Sequence, residues 1–346
     1  MRAAVFVGPG EPLRIETVAD PAPQANELVL KVKACGICGS DLHISEMDSP
    51  MGGMAPLHRG DIMGHEFSGE VVAIGKDTQG WQVGDRACAL PYLACGQCAQ
   101  CRSGHGYRCI NVIYTGLGRL HGGYAEYVRV GAPETVRLPA GVGFQPGALV
   151  EPLAVALHAV ERARIGNGDS VLIVGGGPIG LGVALWCRFF GARRVVVSDL
   201  KAGRLDKAAA MGATDGIDAS QEDVIGRFKQ IAGGRPDIVF DCVGVPGSQQ
   251  LAINYAPTDG RIIVVGLCMH PDTILPVKAM TKELTISYCT MYRRHDFEMT
   301  LEMLDMGRID PMAMVTGAVG FDDFPAAFEA LRQPADQCKV LLEPDA

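Results

Sequence analysis

The apolar run Ser170-Val-Leu-Ile-Val174 passes directly into Gly175-Gly-Gly177-Pro-Ile-Gly180, and 19 residues beyond Gly180 a second run, RVVVSD, ends on Asp199. A strand that empties into glycines and then a helix can return parallel to itself only through a crossover, so this stretch dictates a β-α-β unit. Glycines let the backbone approach a pyrophosphate, the helix N-terminus stabilises its charge, and the acid closing the next strand can bond a ribose. The glycine trio alone is a weak signal; strand, helix and acid around it make it specific. The alternation continues through the weak strand DGID, the helix EDVIGRFKQIAG, then DIVFD, PGSQQLAINYA, RIIVVG and KELTISYC. With a helix predicted over 148–164 ahead of it, the region reads as α/β: six strands in a parallel sheet with helices on both faces.

Residues 1–138 follow another pattern. Short β-branched runs, RAAVFV, ELVLKVKACG, FSGEVVAIG, GDRACAL and YAEYVRV, are separated by Gly, Pro and Asp, as in an irregular, mostly β region. After the alternating region come helices expected over 295–306 and 324–331 and a last strand, CKVLLE, in the style of the first region. The chain of 346 residues is long enough for about two domains. Boundaries are expected at 1–150 and 151–290, with 291–346 returning to complete the first.

The charge balance, 31 Lys+Arg against 39 Asp+Glu for a net −8, argues against a broad nucleic-acid surface. The N-terminal MRAAVFVG is too short an apolar run for a signal sequence or membrane span, so a soluble, cytoplasmic protein is expected. In a reducing compartment the 12 cysteines stay thiols, and clustered ones point to metal. Cys95, Cys98, Cys101 and Cys109 are such a cluster, with two, two and seven residues between them. Four soft thiolates suit tetrahedral zinc and leave no open coordination position, which marks a structural site. Iron–sulfur clusters use the same ligand but other spacings. A nucleic-acid-binding zinc ribbon would want more cations than Arg102 and Arg108.

Cys38, Ser40, Asp41 and His43, the triplet Gly64-His65-Glu66, and Glu151 supply thiol, imidazole and carboxylate, the ligand types of a catalytic zinc site. Ser40 also suits the cap of a helix beginning at Asp41, and Asp41 suits an orienting or capping role. His58, His105, His121, His270 and His295 read as ordinary histidines. Cys35, Cys88, Cys187, Cys242, Cys268, Cys289 and Cys338 lie in or beside apolar runs and read as small core residues.

Taken together, this set, the four-cysteine loop and the nucleotide fingerprint resemble the zinc-containing medium-chain dehydrogenase/reductase (alcohol dehydrogenase) family over essentially the whole chain. Glu151-Pro152-Leu153 and VVVSDLKAGRLDKA look like its sorbitol, butanediol and threonine dehydrogenase branch. The resemblance implies a GroES-like catalytic domain carrying the structural zinc loop 95–109, a Rossmann NAD-binding domain, two zinc ions per chain, and a homodimer or homotetramer. It implies Cys38 and His65 as ligands of the catalytic zinc, with the next place taken by Glu66 or Glu151. It further implies oxidation of a secondary alcohol, diol or polyol to the ketone, and the reverse reduction, by hydride transfer with zinc as Lewis acid. The proton would leave through Ser40, the nicotinamide ribose and His43. A hydroxyl that both donates and accepts, and an imidazole titrating near neutrality, suit that relay.

The nucleotide contacts expected are Gly175, Gly177, Pro178, Ile179, Gly180 and Asp199, with Arg204 against the adenine and Val243, Val265, Gly266 and Leu267 bordering the nicotinamide. A carboxylate at Asp199 would repel the extra phosphate of NADP, which selects NAD. Ile44, where sorbitol dehydrogenases usually carry tyrosine, makes the expected pocket more apolar, with Tyr114, Tyr292 and Arg293 as candidate lining. The competing readings are a zinc-free NADPH quinone reductase of the same superfamily and a non-enzymatic zinc-ribbon protein.

Overall fold

The computed structural model describes residues 1–47, 56–333 and 336–346. The chain divides into two compact units. One comprises Met1–Glu151, Arg293–Arg308 and Val315–Ala346; the other comprises Pro152–Tyr292 and Ile309–Met314.

The first unit opens with β1 (Arg2–Val5), β2 (Arg14–Thr17), β3 (Glu27–Gly36), α1 (Gly39–Ile44), β4 (Glu66–Ile74), β5 (Arg86–Ala89) and β6 (Tyr92–Leu93). It continues with α2 (Ala99–Arg102), β7 (Ile113–Tyr114), β8 (Tyr127–Gly131), β9 (Thr135–Arg137), α3 (Phe144–Ala148) and the start of α4 (Val150–Ala163). The ten residues of β3 organise it. Nearly all are buried, and leucines, valines and alanines fill a strand that pairs antiparallel with β4 along one edge. The other edge is shared: β8 covers Glu27 to Lys31, and a strand from the far end of the sequence covers Cys35 and Gly36. Leu28, Leu30, Val32, Phe67, Val71, Val128 and Tyr124 form the core, joined by Phe324 and Phe328.

The second unit holds β10 (Ser170–Val174), α5 (Pro178–Phe189), β11 (Arg194–Asp199), α6 (Ala202–Ala210), β12 (Asp215–Asp218) and α7 (Val224–Ala232). After these come β13 (Ile238–Asp241), α8 (Ser248–Tyr255), β14 (Arg261–Val264), α9 (Pro276–Met280) and β15 (Thr285–Tyr288). All six strands are parallel, in the order β12-β11-β10-β13-β14-β15. That order is the Rossmann arrangement, in which a dinucleotide lies where the chain reverses direction across the sheet. One helical layer packs Val224 and Phe228 on Leu172, Val196 and Ile217; Ala252, Ile253 and Ala256 pack with Val239 and Ile262. The six strands read from the alternation are all present.

The remaining elements are α10 (Arg294–Asp305), β16 (Val315–Val319), α11 (Phe324–Ala330) and β17 (Lys339–Leu342). β17 runs antiparallel to β3, with Leu341 opposite Gly36 and Leu342 opposite Cys35. β16, parallel to β17, was not legible in VTGAV, whose small residues give no strand alternation of polarity. Among the described residues no helix is long and apolar enough to cross a membrane.

Candidate metal and nucleotide sites

β3 ends at Gly36, and Cys38 then takes an extended backbone (φ −98°, ψ 148°) as the N-cap of α1. The Asp41 carboxylate accepts the Cys38 N–H at 3.3 Å, so the cysteine is pinned at the head of a helix. Ser40 therefore lies inside the first turn, and Cys38, not Ser40, holds the N-cap. The Ser40 hydroxyl donates instead to Cys38 Sγ at 3.2 Å. His43, near the end of α1, is exposed.

The approach to β4 needs a left-handed turn at Gly64 (φ +94°), where a Cβ would also lie 2.5 Å from the Tyr124 ring. That turn delivers His65 and Glu66 in succession beside Cys38. One ligand atom from each of Cys38, His65 and Glu66 falls within 4.8 Å of the others. A thiol, an imidazole and a carboxylate at that spacing can surround one zinc ion and leave a fourth position open. Glu151, 6 % exposed in the first turn of α4, is not part of this group.

The groups behind the cluster are themselves tightly held. His65 Nδ1 lies 3.2 Å from Asp41 Oδ1, an ion-pair approach set off the direction of a linear hydrogen bond, which leaves Nε2 as the nitrogen for a metal. Burial lowers the His65 pKa, but Asp41 and Cys38 outweigh it and hold the imidazole well above its ordinary value. Asp41 is wholly buried, and the Tyr124 hydroxyl donates to its Oδ2 at 2.5 Å. Lys339 from β17, also buried, donates to both oxygens of Glu66 at 2.7 Å and to the Ile37 carbonyl at 2.9 Å. Burial pulls Lys339 down, yet Glu66 raises it above its ordinary range. Neither Tyr124 nor Lys339 was singled out from the sequence. A lysine in a four-residue strand that is otherwise apolar, KVLL, is the signal that was available.

The four cysteines of the 95–109 loop converge as their spacing predicts, with Cys98 Sγ 3.5 Å and Cys95 Sγ 4.0 Å from Cys101 Sγ. Sulfurs on a zinc tetrahedron stand about 3.8 Å apart for Zn–S bonds near 2.3 Å, so the loop already has the required size. Backbone amides aim at the sulfurs: Cys95 N–H and Asn111 N–H each lie 3.3 Å from Cys109 Sγ. The amides of Cys101 and Ile110 draw the Cys98 thiol down to about 6, whereas burial and then the neighbouring Cys98 push Cys101 up to about 12. Of the cysteines assigned to the core, Cys35, Cys88, Cys187 and Cys338 are buried. Cys242, Cys268 and Cys289 are only partly so, a correction explained by their place just past the carboxyl ends of β13, β14 and β15. Tyr292 is wholly buried, and the Arg293 guanidinium pairs with Asp296 at the cap of α10.

In the second unit Gly175 adopts φ +97°, and a Cβ at Gly180 would lie 1.8 Å from the Gly175 carbonyl, so helix and strand meet at a distance only glycine allows. α5 starts from Gly177 with Pro178 in its first turn, presenting unpaired N–H groups where β10 ends. Asp199 closes β11 and folds back: its Oδ2 accepts the Gly176 N–H at 2.8 Å and faces Arg204 at 3.3 Å, while Oδ1 accepts the Lys201 N–H at 2.9 Å. Ile179 and Val265 are partly buried, and Val243 and Leu267 are exposed, near the same end of the sheet. Gly266 packs against Gly244 so closely that a Cβ would lie 2.3 Å from its nitrogen.

Two family models match the sequence, Alcohol dehydrogenase GroES-like domain over residues 24–140 and Zinc-binding dehydrogenase over residues 178–306. The chain is 30% identical to sorbitol dehydrogenase of Bacillus subtilis, over 100% of this chain and 98% of that one. It is 33% identical to L-threonine 3-dehydrogenase of Aeromonas hydrophila, over 94% of each. Among solved structures, 2R,3R-butanediol dehydrogenase from Bacillus subtilis matches with a TM-score of 0.87 at 32% identity, over 99% of both chains.

Proposed function

The chain belongs to the zinc-binding alcohol dehydrogenase family, and on that premise we propose that it oxidises a secondary alcohol, diol or polyol to the ketone with NAD, and runs the reverse reduction, at the Cys38-His65-Glu66 cluster. The observation that carries this reading is the convergence of three different donor types within 4.8 Å, backed by Asp41 behind the histidine. Zinc bound there would polarise the alcohol oxygen as a Lewis acid, and NAD would accept the hydride.

Cys38, His65 and Glu66 hold the metal; Glu151 is the second carboxylate of the site, proposed from its sequence context. Asp41 fixes the His65 ring so that the nitrogen facing the metal keeps its lone pair. Ser40, a hydroxyl beside the Cys38 sulfur, would take the substrate proton and pass it by way of the nicotinamide ribose to exposed His43 and so to solvent. Cys95, Cys98, Cys101 and Cys109 hold a second, structural zinc. The glycine loop 175–180 and the N-terminus of α5 bind the pyrophosphate. Arg204, Val243, Val265, Gly266 and Leu267 complete the nucleotide site.

NAD is favoured over NADP because Asp199 puts a carboxylate at the end of β11, where Oδ1 accepts the Lys201 N–H and has a second lone pair suited to a ribose hydroxyl. Ile44, 4 % exposed beside His43, offers no hydroxyl where sorbitol dehydrogenases usually carry tyrosine, which makes a less polar secondary alcohol or vicinal diol as good a candidate as a polyol. A cytoplasmic location, where the thiols stay reduced, suits the ligand set. Self-association is also proposed: β15 is the edge of its sheet and exposes Tyr288, and light scattering of the purified protein tests it.

The deciding experiment is NAD reduction measured across sorbitol, 2,3-butanediol, L-threonine and 2-propanol, together with metal content. Turnover with one of these and two zinc ions per chain are expected. A metal-free chain active with NADPH on quinones would replace this reading with the zinc-free one. Asp199→Gly is expected to move the NAD/NADP preference toward NADP by about tenfold, the scale of one charge-assisted hydrogen bond. An unchanged ratio would mean that Asp199 serves only to brace the glycine loop.

A further inference from the structure

Glu66 is claimed from two sides. Its carboxylate belongs to the three-donor group, yet both of its oxygens already accept hydrogen bonds at 2.7 Å from a lysine whose side chain is 1 % exposed. The pairing is built into the sheet. The β3–β4 register sets Gly36 opposite Glu66, and the missing side chain makes room: a Cβ on Gly36 would stand 2.1 Å from Glu66 Oε2. β17 docks on the other edge of β3 at the same level, with Leu341 opposite Gly36, and brings Lys339 in against the Ile37 carbonyl. Three strands thus converge to hold one buried ammonium against one buried carboxylate, at the point where a divalent cation is to bind.

We propose that Lys339 is a positioning residue that competes with the catalytic metal for Glu66, making Glu66 a ligand held in reserve and the site's metal affinity lower than its donors alone would give. The proposal rests on the metal-dependent reading above. Charge supports it. With His65 neutral, as a metal ligand must be, a Cys38 thiolate, Asp41 and Glu66 bring three negative charges into the pocket and Lys339 returns one positive charge, leaving what a divalent cation neutralises. A buried carboxylate without a counter-charge is strongly unfavourable, so the empty pocket needs Lys339. Once a metal arrives, each share of Glu66 kept by Lys339 is withheld from the metal, because a carboxylate oxygen close to an ammonium is a poorer donor.

The consequence is a pair of opposite effects in one variant. In Lys339→Met the metal-free protein is expected to melt several degrees lower than wild type, while zinc release from the catalytic cluster slows by a factor on the order of ten, the usual scale of groups behind metal ligands. Release is followed with a chromophoric chelator on the full chain, and the phase belonging to this cluster is the one missing in Cys38→Ser. A residue that only supports the fold would speed release or leave it unchanged, and either result overturns the proposal. The double variant Lys339→Met/Glu66→Gln removes both buried charges and keeps the test open if the single variant does not fold. It is expected to release zinc at the rate of Glu66→Gln. If Lys339→Met shifts that rate even when Glu66 is absent, Lys339 does not act through Glu66 and the proposal fails. A wild-type chain that takes up no zinc at this cluster and oxidises no alcohol overturns the dehydrogenase reading and this one together. A wild type that does both while Lys339→Met releases zinc unchanged overturns this one alone.

Discussion

The two cysteine-bearing clusters, each proposed to hold zinc, are built by opposite means. In the 95–109 loop all four donors come from one short stretch, and what braces them is local backbone, the amides of Cys95, Cys101, Ile110 and Asn111. At Cys38, His65 and Glu66 the donors come from two strand ends, and what braces them is buried side-chain chemistry: Asp41, Tyr124 and Lys339. A closed all-thiolate shell needs nothing beyond its own turn. An open mixed shell leaves a vacant position and unbalanced charge, so neighbouring strands must supply orientation and counter-charge.

That contrast can be broken most sharply at Cys38. Cys38→Ser is expected to lower turnover by about a thousandfold, the rate equivalent of several kcal/mol of lost charge stabilisation, and to reduce zinc from two ions to one per chain. Retained turnover would remove the metal from the mechanism. Asp41→Asn keeps the shape but withdraws the charge facing His65. A loss of catalytic-zinc affinity of about 10- to 100-fold is expected, with the four-cysteine zinc untouched. Competition titration with a chelator separates the two ions, and equal loss at both would show that the clusters are not independently braced.

Cys101→Ser should act the other way round. Its readout is stability: a fall in melting temperature of about 10 °C, as expected for several kcal/mol in a chain of this size, with turnover per folded, catalytic-zinc-bearing molecule near that of wild type. Because burial and the neighbouring Cys98 raise the Cys101 thiol above its ordinary value, zinc loading into this loop at pH 7 is expected to displace its proton, and uptake measured in two buffers of different ionisation heat should reveal proton release. The smallest effect is assigned to Tyr124→Phe, which removes a hydroxyl but leaves the ring that packs on Phe324 and Phe328. A stability loss of about 1.5 to 3 kcal/mol by denaturant titration is expected for losing a hydrogen bond to a carboxylate. No change at all would mean that Asp41 does not depend on that bond.

The same contrast explains what could be read from the sequence. The four-cysteine loop was legible because its chemistry lies within one turn of chain, and the second unit because its strands and helices alternate with their own periodicities. SVLIV, the glycines and Asp199 even specify their mutual contacts, since the acid folds back on the loop that precedes its own strand. Cys38, His65 and Glu66 were legible as residue types, but not as a geometry. Asp41 was legible as an orienting partner, but the pairs behind it were not: Tyr124 and Asp41 are 83 positions apart, and Lys339 and Glu66 are 273 apart. No local period encodes such a pair. Short elements failed for a related reason, because the strand at Val315–Val319 and the helix at Pro276–Met280 exist through their neighbours rather than through a pattern of their own.

The docking of β17 on β3 also sets a calendar for maturation. A ribosome delivers the cysteine loop early, and that loop can take zinc once residue 109 has emerged; Lys339 follows only after most of the chain has been made. At ordinary translation speeds the interval is on the order of tens of seconds. During it Glu66 stands without the ammonium that the complete fold sets against it. Ribosome-bound chains halted before β17 should therefore hold a cation at Glu66 more avidly than the finished protein. Equal retention by halted and finished chains would show that the late strand leaves the pocket's appetite unchanged.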